Sequence, residues 1–156
     1  MRLLVASVGQ RMPRWVEDGW AEYARRMPRE LQLDLREIPL AQRGKNPDIE
    51  RARRQEGEAL CAAVPKGARV VALDGRGRTW STEQLSSKLE DWMGEGRDCV
   101  FFIGGPDGLD RNALDVADDR WSLGPLTLPH PLVRVMLAEQ LYRAWTITRN
   151  HPYHRA

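Results

Sequence analysis

The sequence predicts an α/β fold in which helices flank a mostly parallel sheet. Segments with strand periodicity and segments with helix periodicity alternate along the chain. Two short apolar runs, 70–73 and 100–103, are continuous rather than alternating, which is typical of strands buried on both faces of a parallel sheet. We expect residues 1–156 to form one domain, because we find neither an internal repeat nor an interdomain linker.

The first half of the chain predicts two strands and two helices. Residues 2–8 are predicted to form a strand, and Leu31, Leu33 and Leu35 alternate as in a half-buried strand. Between them Pro13 opens a helix, and a basic loop at 43–47 leads into a second helix. The residues that recur at helical spacing in the first helix are Trp15, Val16, Trp20, Tyr23 and Met27, and the second helix carries Ile49, Ala52, Glu56, Ala59 and Leu60.

The second half continues the alternation. Residues 69–74 and 98–103 are predicted as buried strands. Between them Ser81 and Gln84 match a capping box and predict a helix start. A short helix at 110–117, a strand at 121–123 and a long helix over 132–149, begun by Pro131, complete the chain. The positions expected to be buried by the capped helix are Leu85, Leu89, Trp92 and Met93.

Composition excludes several classes of protein. With 42% hydrophobic and 29% charged residues, the chain is globular rather than disordered or collagenous. No apolar run approaches the roughly 20 residues of a membrane span, and no secretory signal opens the chain, so we expect a cytoplasmic protein. Cys61 and Cys99 form no CxxC pair and are interpreted as core residues. The three histidines lack metal-ligand spacing, so no metal site is predicted.

Charge is distributed unevenly along the chain. The net charge is only +2, but residues 121–156 carry four arginines against one glutamate, whereas residues 58–120 have an acidic excess. Arginine outnumbers lysine 21 to 3, which suits bidentate contact with phosphate and also suits a GC-rich genome. This pattern permits a nucleic-acid partner without requiring one.

Three loops follow predicted strands at the edge of the sheet where ligands bind in open α/β folds. The loop at 75–80 resembles the start of a dinucleotide fingerprint, but Trp80 replaces its third glycine, and a flexible turn is the alternative. The loop at 104–108 has two glycines, which allow either close approach of a ligand or a positive φ angle. The loop at 123–129 has no ionisable side chain, so any ligand there, such as adenine, must be recognised through backbone groups and apolar contacts. The alternative is a structural hairpin.

The terminal helix and the tail supply further candidates. Arg134 lies in the first helical turn, at the unfavourable end of the helix dipole, and therefore predicts an anionic partner, either a phosphate or a carboxylate of another chain. Glu139 and Arg143 have the spacing of an ion pair. The tail at 152–155 combines an aromatic ring, an imidazole and a guanidinium, which suits stacking on a base and contact with phosphate, although a frayed tail is the alternative.

Taken together, these segments resemble a known family, the small bacterial SPOUT-class methyltransferases that act on N3 of a pseudouridine in 23S ribosomal RNA. The resemblance is essentially full length, and the order and spacing of its motifs are specific. The matching segments are GKN (44–46), LDGRG (73–77) with Thr79 and Ser81, FIGGPDG (102–108), SL (122–123), LTLPHPLVRV (126–135), EQLYRA (139–144) and PYHR (152–155). The chain departs from the family at Gly124-Pro125, where small polar residues are commoner.

The resemblance implies a C-terminal trefoil knot, an exception to the rule that chains do not thread loops. It also implies S-adenosyl-L-methionine as cofactor, bent within the knot, and a homodimer in which the tail of one chain helps complete the site of the other. The implied substrate is helix 69 of 23S ribosomal RNA in the assembled ribosome, after another enzyme has made the pseudouridine. The implied cofactor-binding residues are Leu73, Gly104, Leu123, Gly124, Pro125, Leu126, Thr127 and Leu128.

Methyl transfer to an imide nitrogen requires in-line alignment and loss of the N3 proton. We expect His154 to accept that proton, with Glu139 as a weaker candidate because Arg143 neutralises it. Tyr153 is expected to stack on the base. The arginines expected to hold phosphates or to polarise a carbonyl of the base are Arg134, Arg143 and Arg155.

Three other functions fit parts of the sequence. A nucleotide-dependent oxidoreductase would use the incomplete glycine fingerprint, whose position after the third strand argues against it. A ribosome-binding protein without catalysis would share the basic ends and the aromatic tail, but it would not need a glycine-lined crevice. A methyltransferase acting on another RNA nucleotide would have similar cofactor loops.

Overall fold

The computed structural model describes residues 1–45 and 48–154, and within them an α/β architecture. The strands are β1 (Arg2–Val8), β2 (Gln32–Ile38), β3 (Arg69–Thr79), β4 (Cys99–Ile103) and β5 (Asp119–Ser122). The helices are α1 (Arg14–Ala24), α2 (Ile49–Ala62), α3 (Thr82–Glu95), α4 (Arg111–Val116) and α5 (His130–Thr148). Short 3-10 turns lie at Arg29–Leu31 and Pro152–His154. The predicted alternation of strands and helices is confirmed.

The five strands form one parallel sheet in the order β2-β1-β4-β3-β5. Successive side chains of a strand point to opposite faces, so the sheet has a core on each side. Leu3 and Val5 of β1 belong to the core that includes residues of α3 and α5, whereas Leu4 and Ala6 belong to the core that includes residues of α2 and α4. The continuous apolar runs therefore reflect burial on both faces, as predicted.

The expectation of a loop after Leu73 was wrong. Strand β3 continues to Thr79, and β5 pairs with it on both sides of a register shift, at Leu73 and again at Arg78. A Cβ atom on Gly77 would lie 2.4 Å from the carbonyl oxygen of Arg120. The glycine therefore permits close approach of two strands rather than a flexible turn.

Helix boundaries follow the predicted signals with one difference. The capping box is present, because Gln84 N donates to Ser81 Oγ at 3.1 Å and Ser81 N donates to Gln84 Oε1 at 2.8 Å. Helix α1 ends at Ala24, so Met27 lies beyond it, although its side chain still packs against the core. Trp15, expected on the apolar side of α1, is instead exposed.

Both cysteines are unpaired thiols. Cys99 is fully buried in β4 and Cys61 is half-buried, and burial raises the pKa of both thiols. No helix in the described ranges is long and apolar enough to span a membrane. Within residues 1–45 and 48–154, no three His, Cys, Asp or Glu side chains are grouped in a way that would hold a metal ion.

Candidate cofactor cavity and tail cluster

A cavity of about 840 Å³ opens at the carboxyl ends of β3, β4 and β5. Each of the three segments expected at this edge contributes to its wall, and the volume lies within the usual range of small-molecule sites. All eight residues expected to bind the cofactor line this one cavity: Leu73, Gly104, Leu123, Gly124, Pro125, Leu126, Thr127 and Leu128. The fold thus brings together residues that lie up to 55 positions apart in the chain.

The wall formed by residues 104–108 is a tight backbone turn. Gly105 and Gly108 form an isolated antiparallel bridge, and Gly108 adopts a positive φ of 76°. A Cβ atom on Gly104 would lie 2.7 Å from the carbonyl carbon of Gly108. Gly104 is therefore required by close approach within the protein itself, which leaves its backbone available at the cavity wall.

The wall formed by residues 123–129 presents mainly backbone and apolar surface. Gly124 has φ +117°, a conformation that residues with a side chain rarely adopt. Its N–H donates to Ser122 Oγ at 3.2 Å, and the Ser122 hydroxyl donates back to Gly124 O at 3.3 Å. Leu126 is 77% exposed at the rim. The segment lines the cavity with the backbone and apolar groups that the sequence led us to expect, and it forms no hairpin.

Two ionisable side chains line the cavity among the described residues, Asp74 and His130. The Asp74 carboxylate accepts the backbone N–H of Arg76 at 3.3 Å and faces its guanidinium at 3.4 Å. His130 is the first residue of α5, and its Nδ1 is buried without a hydrogen-bond partner in the described chain. Burial, together with the positive charge of Arg134, lowers the pKa of His130.

Sequence reasoning did not identify His130 as a site residue. It was considered only for metal-ligand spacing and as part of a family motif. The available signal was its position, because it directly follows the non-ionisable loop and begins the terminal helix.

Arg134 has its anionic partner inside its own chain. Its Nη1 donates to Glu37 Oε2 at 2.7 Å, its Nε to Ser7 Oγ at 3.0 Å and its Nη2 to Gly9 O at 2.7 Å. The side chain is only 1% exposed. An anionic partner is present as predicted, but it is a carboxylate of β2 in the same chain, not the phosphate or the carboxylate of another chain that we expected, and the guanidinium is buried in protein.

The tail is ordered against α5 and forms what we call the tail cluster, which comprises Glu139, Tyr142, Arg143 and Tyr153. Arg143 Nε donates to Glu139 Oε1 at 2.7 Å, so the predicted ion pair is present. The Tyr153 hydroxyl donates to the same oxygen at 3.3 Å, and its ring meets Tyr142 edge-on at 4.7 Å between centroids. The Arg143 guanidinium lies 5.1 Å from the centre of the Tyr153 ring.

Burial raises the pKa of Tyr153 to about 12, with a hydrogen bond to Tyr23 as the next contribution. The pKa of Arg143 is also raised, chiefly by its hydrogen bond to Glu139. His154 is half-buried beside the cluster, and its Nδ1 has no partner in the described residues. Arg155, expected to contact RNA, lies outside the described residues, as does Asn46 of the family motif.

The cavity lies at the first turn of α5, and the tail cluster packs against the middle of the helix. His130 lines the cavity, whereas Tyr142, which contacts Tyr153, follows 12 positions later. At a rise of about 1.5 Å per residue, this spacing separates the two sites by roughly 18 Å along the helix. Neither Tyr153 nor His154 is among the residues that line the cavity of this chain.

Comparisons with known proteins place nearly the whole chain in one family of methyltransferases. A family model described as "predicted SPOUT methyltransferase" matches residues 1–154. The ribosomal RNA large subunit methyltransferase H of Pseudomonas fluorescens (strain Pf-5) is 56% identical over 155 residues, which cover 99% of this chain and 100% of that protein. The protein of the same name from Stutzerimonas stutzeri (strain A1501) is 54% identical with the same coverage.

Solved structures support the fold. A probable methylase family protein from Haemophilus influenzae Rd KW20 superposes with a TM-score of 0.55 at 14% identity, covering 97% of this chain and 69% of that chain. A structure concerned with the 2-OH methylation of C/U34 on tRNA superposes with a TM-score of 0.52 at 21% identity, covering 93% and 97%.

Proposed function

Because this chain belongs to the SPOUT methyltransferase family and has its α/β knot fold, we propose that it methylates N3 of the pseudouridine in helix 69 of 23S ribosomal RNA. The chain is a methyltransferase, so the oxidoreductase alternative is not retained. Relatives that cover its whole length carry the name ribosomal RNA large subunit methyltransferase H, which supports the large-subunit RNA as substrate. The assembled ribosome in the cytoplasm is the form of the substrate that we propose.

The observation that carries the proposal is the convergence of the three segments on one cavity. S-adenosyl-L-methionine would supply an electrophilic methyl group carried on a sulfonium. The backbone and apolar surface of residues 123–128 fits an adenosine group, while Leu73 and Gly104 form neighbouring walls. Asp74 provides a carboxylate in the wall for a cationic cofactor. No metal is part of the proposal.

The main contribution of this chain to the reaction is positioning and exclusion of water. An N3 anion and a sulfonium neutralise each other in the transition state, so a site that excludes competing solvation favours the transfer. Gly104 and Gly124 hold the cavity walls in conformations that depend on the absence of a side chain. These walls fix the direction from which the base approaches.

We propose a homodimer in which the tail of one protomer reaches the cavity of its partner. The absence of Tyr153 and His154 from the wall of their own chain's cavity supports this arrangement. Tyr153 would stack on the base, and Arg143 and Arg155 would hold phosphates. His154, which the sequence alone suggested as proton acceptor, would lie with Tyr153 near the base. Glu139 is engaged by Arg143 and Tyr153 and would orient them.

A net charge of only +2 gives one chain little nonspecific attraction for RNA. The two tails of a dimer and the folded shape of the ribosomal target would supply the remaining complementarity. This requirement favours the ribosome over free RNA as substrate.

The deciding experiment is transfer of a radiolabelled methyl group to ribosomes that lack this modification, with the modified nucleotide located by mass. Matched ribosomes that also lack the pseudouridine are the control. We expect label at helix 69 that is greatly reduced on the control. Label at another nucleotide would reassign the target, and absence of both label and cofactor binding would favour a noncatalytic ribosome-binding protein.

A further inference from the structure

We propose that His130, within the same chain as the cofactor cavity, is the group that accepts the N3 proton during methyl transfer. This inference rests on the proposed function, because it concerns the same cavity and the same imide nitrogen. It assigns a catalytic role to a residue that begins α5 and that lines the cavity beside the segment 123–129.

The cavity offers few groups that can take a proton. Of the described side chains that line it, only Asp74 and His130 are ionisable. Asp74 is engaged by the backbone and the guanidinium of Arg76. A carboxylate is in general a weaker base than an imidazole, and an imidazole is suited to proton transfer near neutral pH.

The His130 ring retains unused hydrogen-bonding capacity. Its Nδ1 is buried and has no partner in residues 1–45 and 48–154. Buried polar atoms in folded proteins nearly always have a partner, and each exception calls for an explanation. Because Nδ1 is shielded from solvent, a base in the open cavity would meet the other ring nitrogen, Nε2, which also has no hydrogen-bond partner in the described residues and can accept the N3 proton.

The surroundings of His130 favour the neutral, proton-accepting ring. It lies in the first turn of α5, where the helix dipole disfavours a cation. Arg134, one turn further along, adds a fixed positive charge, and burial acts in the same direction. The other charged groups nearby are Glu37 of β2, which pairs with Arg134, and Asp74 of β3.

Arg134 and Gly9 hold the ring in place. A Cβ atom on Gly9 would lie 3.2 Å from His130 Cε1, so the imidazole packs directly over a backbone that has φ +115°. Arg134 Nη2 fixes that backbone through the carbonyl oxygen of Gly9 at 2.7 Å. Arg134 is therefore a positioning residue for His130, which accounts for its burial beside the cavity.

The step balances as follows. The N3–H bond of the base breaks and its proton bonds to a lone pair of the His130 imidazole. The N3 electron pair forms the bond to the methyl group, and the carbon–sulfur bond electrons return to sulfur, which converts the sulfonium to a thioether. The imidazolium then loses its proton to water after product release.

The test compares His130→Asn with His154→Ala in single-turnover methyl transfer to the ribosomal substrate between about pH 5 and 9. For the wild type we expect a rate that falls as the pH decreases through the lowered pKa of His130. His130→Asn should reduce the rate at neutral pH by about 10²- to 10⁴-fold and remove this acidic limb. His154→Ala should keep the limb even if its KM for ribosomes rises.

A second measurement uses only folded protein with His130 intact. We would compare binding of S-adenosylmethionine and S-adenosylhomocysteine to His154→Ala by calorimetry over the acidic range. Because only the first ligand carries a sulfonium charge, protonation of a nearby His130 should weaken it relative to the second. A ratio of affinities that is independent of pH would overturn the proposal.

The proposal would also be overturned if His130→Asn retained both the rate and the acidic limb, or if His154→Ala removed the limb. The failure of the proposed function looks different, because the wild type itself would then place no label on helix 69. Misfolding of His130→Asn would be recognised by circular dichroism, and the affinity ratio would then decide.

Discussion

Arg43 Nε donates to Asp107 Oδ2 over 2.8 Å, and this ion pair joins the segment before α2 to the glycine turn of the cofactor cavity. The same guanidinium contacts Glu56 Oε2 at 2.9 Å, and the Glu56 side chain is only 2% exposed. The turn at 104–108 is thus anchored from outside the cavity by a charged network whose deepest member lies on α2.

Asp107→Asn should weaken cofactor binding without abolishing it. Loss of the charge-assisted bond removes about 1 kcal/mol of support from the turn, which corresponds to an affinity about fivefold lower. Calorimetric titration with S-adenosylmethionine measures the effect. Asp18→Asn, which breaks an exposed pair with Arg14 on α1, is the matched control and should leave affinity unchanged. Equal affinities for the two variants would contradict the anchoring role.

Glu37→Gln should destabilise the protein more than a comparable change on the same strand. The substitution leaves the buried Arg134 charge without its carboxylate and should lower the free energy of unfolding by about 1–3 kcal/mol. Urea denaturation provides the measurement. Asp34→Asn removes an exposed ion pair between Asp34 of β2 and Arg2 of β1, and it should cost less than about 0.5 kcal/mol. A larger loss for Asp34→Asn would show that Arg134 does not depend on Glu37.

Gly104→Ala should impair both folding and cofactor binding. The added Cβ would lie 2.7 Å from the backbone of Gly108, so the turn must shift, at a cost of about 1–3 kcal/mol. Thermal unfolding and cofactor titration measure the two effects. Gly75→Ala is the control, because it lines the same cavity but its Cβ would meet open space. Similar losses for both variants would mean that the cavity cannot tolerate any added atom.

Alkaline pH should destabilise the folded protein partly through Tyr153. Its pKa rises from the model-compound value of 10.0 to about 12 on folding, so the native state holds the phenolic proton more tightly. This contribution to stability is complete below pH 10 and is lost as the pH rises through about 12. Denaturation across this range should show a steeper loss for the wild type than for Tyr153→Phe. The two buried thiols titrate in both proteins and cancel in the difference.

Mixing two inactive variants should restore activity if the tail serves the partner's cavity. Gly104→Ala disables the cavity but keeps the tail, and Tyr153→Ala does the opposite. After random exchange of subunits, about a quarter of the sites would combine an intact cavity with an intact tail. Methyl transfer by the mixture, against each variant alone, is the measurement. No recovery, despite mixed dimers demonstrated by mass, would place both parts of the site in one chain.

Much of this architecture could be predicted because its signals are local. The apolar runs at 70–73 and 100–103 identify central strands, and Ser81 with Gln84 identifies a helix start. The position of the cavity could be predicted from the three segments that follow strands, because the carboxyl ends of parallel strands meet at one edge of the sheet. Even so, the loop after Leu73 is part of a strand.

What could not be predicted depends on contacts between distant segments. Gly77 is required by the backbone of Arg120, and Arg134 is neutralised by Glu37, which lies 97 positions earlier. His130 looks ordinary in the sequence, and its burial appears only when Gly9 packs against it. The sequence was equally consistent with a frayed tail, and the tail is held by contact between Tyr153 and Tyr142 of α5. Because apolar residues extend around most of α5, the sequence did not show which of its faces the tail would contact.

The order of the strands has a consequence for synthesis on the ribosome. Strand β1 pairs with β2 on one edge and with β4 on the other. About a hundred residues must therefore be synthesised before both edges of β1 are paired. The bond from Arg134 to Ser7 spans 127 positions and closes last. At roughly 5–20 residues per second, the apolar β1 is incompletely paired for several seconds. We therefore expect nascent chains to expose apolar surface until α5 docks, and a chain truncated within α5 to be degraded rather than to persist as a partly active enzyme.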